Sequence, residues 1–263
     1  MKLNIVAPRT GLTWVRMGLR TYFRQPLALT GLFFMYTTVV LLLAIVPGIG
    51  IVAGGMLVPA ATLGLMAATA EAEKGRFPLP SVLLSAFRAG RQRLRAMLVL
   101  GAVYAAGSLL AANLATLLAG ASTPPTGEGQ AVALDAATGL ALLFHLPLFV
   151  GFWHAPALVH WHGISPAKSL FFSAVAVLRN LGAHLLFAAG WIALFLAAGS
   201  VFGVVGAAVG GTGGVQAIVL PLALVLASMF SSSIYFTFRD CFRADADEPA
   251  TEATPREAPP PGP

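Results

Sequence analysis

The chain predicts an all-α fold: a polytopic membrane helical bundle of six transmembrane helices, with short amphipathic helices at its inner surface. Three observations carry this expectation. Hydrophobic residues make up 57% of the chain and charged residues only 10%. A soluble domain carries about 25% charged residues, so a water-facing surface here would go uncovered. Next, four stretches hold no Asp, Glu, Lys or Arg: 25–70, 96–127, 136–167 and 180–238. A crossing takes about 20 apolar residues, so these stretches hold two, one, one and two crossings. Finally, the 16 Lys and Arg residues fall in segments 1–26, 71–95, 162–182 and 239–263, as 5, 6, 2 and 3, and the alternate connections hold none. Basic loops stay on the cytoplasmic side, which predicts a multi-pass protein of the bacterial inner membrane with both termini cytoplasmic. An odd number of spans would strand Arg239, Arg243 and Arg256 outside.

The membrane domain is expected over 1–243. Residues 10–24 come first, as an amphipathic helix with Leu12, Val15, Leu19, Tyr22 and Phe23 on one arc and Arg16, Arg20 and Arg24 flanking it. Such a helix lies in the interface with its guanidinium groups at phosphate level. Pro26 ends it. The spans are expected near 27–46, 50–70, 96–118, 138–161, 183–207 and 216–238. Pro47-Gly48-Ile49-Gly50 turns the first into the second. A second interfacial helix is expected near 81–90, with Ser81 as N-cap and Leu83, Leu84 and Phe87 as its apolar face; Arg88, Arg91, Arg93 and Arg95 crowd its end. The third, near 166–179, opens on Ser165-Pro166 and carries Leu170, Ala174, Val177 and Leu178 as its stripe. Residues 119–135 read as an outer loop rich in turn residues. The tail, 244–263, is Pro-rich and acidic and reads as disordered. An amphipathic stretch feeding two spans occurs three times, although any six-span chain contains three hairpins by construction.

The formal charge of +6 does not point to nucleic acid, because the basic residues sit as short clusters beside apolar spans and no nucleic-acid motif is present. They point to anionic lipid headgroups. The single cysteine, Cys241, leaves no internal disulfide and no Cys-based metal cluster. The first apolar run is longer than a leader's core of about 7–15 residues, so no cleavable signal is expected. No P-loop, H-E-x-x-H, G-x-S-x-G or pair of embedded aspartates appears, so neither an enzyme nor a cofactor is expected.

Polar groups inside lipid are functional candidates by default. His145, near the middle of span 4 and two residues before Pro147, either packs helices through a hydrogen bond or handles a proton or solute. Asn113 and the serines Ser228, Ser231, Ser232 and Ser233 read as interhelical glue. His154, His160 and His162 do not share one helical face, which argues against a metal site and for a belt at headgroup level, with His184 in the same belt. Gly199, Gly203, Gly206 and Gly210 form two GxxxG pairs, a close-packing face that serves either the chain itself or a homo-oligomer.

Three stretches together carry a family resemblance: Tyr22-Phe23-Arg24-Gln25-Pro26-Leu27-Ala28-Leu29, Glu71-Ala72-Glu73-Lys74-Gly75-Arg76-Phe77-Pro78, and Ala155-Pro156-Ala157-Leu158-Val159 with Gly163-Ile164-Ser165-Pro166-Ala167-Lys168-Ser169-Leu170. The chain resembles a family of uncharacterised six-span bacterial inner-membrane proteins. More loosely it is similar to the membrane domain attached to some glycerophosphodiester phosphodiesterases, without their phosphodiesterase domain. The resemblance implies location and fold and carries over no active-site residue. The expected function is a non-enzymatic envelope, scaffold or partner-binding component in contact with lipid, a protein partner or a second copy. A small transporter or permease for a small or lipid-like solute is the alternative, and a membrane subunit of a separate soluble enzyme the third reading.

Overall fold

A computed structural model describes residues 2–119 and 136–243 of the chain. The expected outer loop from residue 120 on and the expected tail lie outside them. The described residues form a helical bundle of nine helices: α1 (Thr10–Arg24), α2 (Pro26–Ala44), α3 (Gly50–Glu73), α4 (Ser85–Arg88), α5 (Arg91–Ala119), α6 (Ala136–Phe152), α7 (Ala155–His162), α8 (Pro166–Arg179) and α9 (Leu181–Cys241). Five segments are long and apolar enough to cross a bilayer: α2, α3, α5, the run Thr138–His162 through α6 and α7, and α9. With 61 residues, α9 is far longer than the about 20 that one crossing takes. Gly210 and Gly211 leave helical geometry, Gly211 at φ 58°, a conformation open to glycine without penalty. The chain reverses there: Gly206 meets Gly214 and Val215, and Trp191 Nε1 donates to Ser233 Oγ at 3.1 Å, 42 positions away.

The outer surface of these helices is apolar. Leu27, Ile45, Leu117 and Val209 are 88%, 74%, 76% and 78% exposed. Water does not tolerate a continuous surface of this kind, and hydrocarbon does. Within the bundle, small residues let backbones approach. A Cβ on Gly101 of α5 would overlap the Met56 carbonyl of α3. Without a hydrophobic force between helices in lipid, such close packing supplies the association energy.

α1 sits in the cleft between the two arms of α9. Gly11 lies against the backbone of Ala183 and Phe187, and Gly18 against Ser233. The buried face of α1 is therefore Gly11, Trp14, Val15, Gly18, Thr21 and Tyr22. The expected membrane-facing arc is therefore divided. Leu12 and Phe23 are exposed, as on a helix that turns them to the membrane, but Val15 and Tyr22 are buried against the protein. Gly11 and Gly18 let α1 approach the α9 backbone closely enough for Trp14, Val15 and Tyr22 to be buried beside them.

The second expected interfacial helix is a 3-10 turn over Pro80–Leu84 followed by the single turn of α4. Ser81 caps nothing there, since the turn begins at Pro80 and the N-cap position falls on Leu79. α8 keeps the expected bounds, but its buried residues are Ser169, Ser173, Ala176 and Val177, while Leu178 is exposed. Span 4 is interrupted between Phe152 and Ala155. Pro147 stays inside α6, whereas Pro156 lacks the N–H that the Phe152 carbonyl would accept. A two-residue antiparallel bridge completes the fold, pairing Lys2 with Arg243 and Leu3 with Phe242.

Candidate functional site

Two features stand out inside the bundle. The first is an apolar groove of about 600 Å³ between α3, α5, α6 and α9, lined among others by Pro59, Tyr104, Phe149, Trp153, Phe187 and Phe230. Its volume falls in the range of small-molecule sites, about 300–1,000 Å³. Leu146, Phe149 and Leu185 line it and remain exposed on the outer surface, so it opens sideways between α6 and α9. Two of its polar wall groups are engaged within the protein. Thr62 Oγ1 donates to the Val58 carbonyl at 2.9 Å, and Trp153 Nε1 donates to Thr237 Oγ1 at 3.0 Å.

The second is the polar assembly at the basic end of the bundle. The break in span 4 is bridged by Ser173 of α8. Its hydroxyl accepts the His154 N–H at 2.9 Å and donates to the Val150 carbonyl at 3.0 Å. A regular helix would join that N–H and that carbonyl directly, so one serine replaces the missing rung. His154 is thereby turned inward. Its ring lies 5.8 Å from that of His184 and 5.4 Å from that of Phe242. Close by, Arg239 bonds Glu73 of α3 and Asp240, while Arg24 bonds the Glu73 carbonyl. Glu71 and Arg76 form a further ion pair.

The sequence candidates distribute unevenly over these features. Arg16, Arg20, Arg24, Arg88, Arg91, Arg93 and Arg95 are all exposed. His145 Nδ1 donates to the Ala141 carbonyl of its own helix at 2.7 Å, and the groove wall passes through Leu146 and Phe149 instead. Asn113 Nδ2 likewise donates to Leu109 on its own helix at 2.7 Å. Among the four candidate glycines, Gly206 makes a close approach, Gly210 belongs to the reversal, and Gly199 and Gly203 have nothing within 4 Å of a Cβ position. The expected histidine belt divides. His154 and His184 are buried, whereas the His162 ring stands 5.9 Å from that of Phe238. Sequence reasoning missed the proximity of His154 to His184 and Cys241. Their numbering offers no signal for it, because the break in span 4 and the α9 hairpin bring them together.

An apolar outer surface around crossing-length helices, with a groove open to the side, defines an integral membrane protein. A probable inner membrane protein of Burkholderia thailandensis is 32% identical over 254 residues, covering 92% of this chain and 94% of its own length. The chain belongs to that family of bacterial inner-membrane proteins. No family model matches it, and no solved structure does.

Proposed function

We propose that this protein is a non-enzymatic inner-membrane component that crosses six times, keeps both termini in the cytoplasm, and holds a lipid acyl chain in its lateral groove. The observation that carries the reading is the groove itself. It is apolar, it sits at the level of the crossing helices, and its mouth is formed by lipid-facing Leu146, Phe149 and Leu185. An acyl chain enters such a mouth without losing contact with hydrocarbon. The exposed arginines at the basic end supply headgroup attraction, each worth about 1 kcal/mol near an anionic surface. A transport reading needs embedded polar groups along a path. Among the described residues the acidic groups are Glu71, Glu73 and Asp240, all at the basic end.

The test is native mass spectrometry of the protein released from mild detergent. The wild type is expected to retain phospholipid. Ala188→Trp, which fills the groove, is expected to lose it. Val204→Trp, on the exposed surface of α9, is expected to keep it. A wild type free of lipid, or equal retention by all three, overturns the proposal.

A further inference from the structure

We infer that His154, His184 and Cys241 form a binding site for one Cu(I) ion. One ligand atom from each residue lies within 4.8 Å of the others. The three are 0%, 9% and 0% exposed. They come from the break in span 4, the first turn of α9 and its last residue, so only the folded bundle assembles them.

The protonation pattern fits a ligand set. His184 Nδ1 faces the Asn180 carbonyl at 3.0 Å. A carbonyl only accepts, so Nδ1 carries the hydrogen and neutral His184 presents its lone pair on Nε2. That Nε2, and both ring nitrogens of His154, have no hydrogen-bond partner among the described residues. Burying a polar atom without a partner is unfavourable, and three such nitrogens sit here beside one thiol. Metal-ligating histidines characteristically donate their other ring N–H to a carbonyl or carboxylate, which orients the ring. Asn180 is itself anchored: its Oδ1 accepts the Val6 N–H at 2.8 Å, and its Nδ2 donates to the Asn4 carbonyl at 3.1 Å. Asn4 N–H in turn donates to the Cys241 carbonyl at 2.9 Å. One N-terminal segment thus holds the backbone behind two of the three donors.

The donor set selects the ion. One thiolate and two imidazoles suit a soft or borderline cation. The neighbouring Asp240 carboxylate is committed to Trp14 and Arg239. Zn²⁺ normally takes four donors, and with one thiolate it would leave a net positive charge in a buried site, which is costly. Cu(I) with one thiolate is neutral. On binding, the Sγ–H bond breaks, the Cu–S bond forms and the proton leaves to water. No electron is transferred. Donors sit about 2.0–2.3 Å from such an ion, so the three side chains draw together by about an ångström on loading.

The test uses the full chain in detergent, stripped with chelator and titrated anaerobically with Cu(I) against a chromophoric competitor. One ion per chain is expected. Cys241→Ala and His154→Phe are each expected to weaken binding by more than about 100-fold, beyond the range seen for outer-shell changes. His162→Ala is expected to leave it unchanged. X-ray absorption of the loaded wild type, which needs no variant to fold, is expected to show one sulfur and two nitrogen neighbours. Failure to compete for Cu(I), undiminished binding by Cys241→Ala, a shell without sulfur, or Zn²⁺ bound as tightly as Cu(I) each overturns the assignment.

Discussion

Trp14 Nε1 donates to Asp240 Oδ2 at 2.9 Å, joining the first helix to the last turn of α9 across 226 positions. The indole is fully buried, and Asp240 also accepts from Arg239, which reaches Glu73 on α3. Three elements therefore meet through the Asp240–Arg239 pair. Trp14→Phe keeps most of the ring and removes the donor. A hydrogen bond to a charged group contributes about 1.5–3 kcal/mol. Thermal unfolding in detergent should show a clear loss of that order, and an unchanged midpoint would contradict the contact.

The glycines of α1 and α9 make a second, contrasting prediction. A Cβ on Gly11 or Gly18 would overlap α9, whereas one on Gly199 or Gly203 meets nothing within 4 Å. Gly11→Ala and Gly18→Ala are expected to cost about 1–3 kcal/mol through overpacking. Gly199→Ala and Gly203→Ala are expected to stay within about 0.5 kcal/mol, as surface changes do. Measured stabilities in the reverse order would show that the GxxxG pairs, not the α1 seam, hold the bundle.

That contrast marks how far the sequence was legible. Charge-free runs mark helices that meet lipid because hydrocarbon demands long apolar stretches: α2 lies inside such a run, while α3 continues past its run to Glu73 and α5 begins before its run, at Arg91. Which face meets protein was less legible. Periodicity puts Leu12, Val15, Tyr22 and Phe23 on one apolar arc, yet lipid is as apolar as a core, so hydrophobicity does not tell which of them meet protein. The helix interruption was hidden for another reason. Pro147 and Pro156 look alike in sequence, and the break near Pro156 is stabilised by Ser173, a residue of a different helix. His145 drew attention by its depth, but its hydrogen bond is to its own backbone. A lone cysteine reads as excluding a metal cluster only if cysteines alone are counted; His154, from the break in span 4, and His184, from the opposite end of α9, each bring a ring nitrogen within 4.8 Å of the Cys241 sulfur.

The serine bridge gives a third prediction. Ser173→Ala leaves the His154 N–H and the Val150 carbonyl without the hydroxyl that links them. Leaving such buried groups unpaired should cost about 1–3 kcal/mol. Amide exchange at His154 should accelerate, while exchange deep in α5 should not change. Unaltered protection at His154 would mean that another group supports the break.

The measurement that tests the central claim most directly is membrane topology by reporter fusion. The six-crossing arrangement we propose rests on the segregation of all 16 basic residues and the reversal of α9 at Gly210 and Gly211. A reporter active only outside the cytoplasm should be silent after Glu73, Lys168 or Arg243, and active at Gly127 and Gly213. Activity after Arg243, or silence at Gly213, would contradict the six-crossing account.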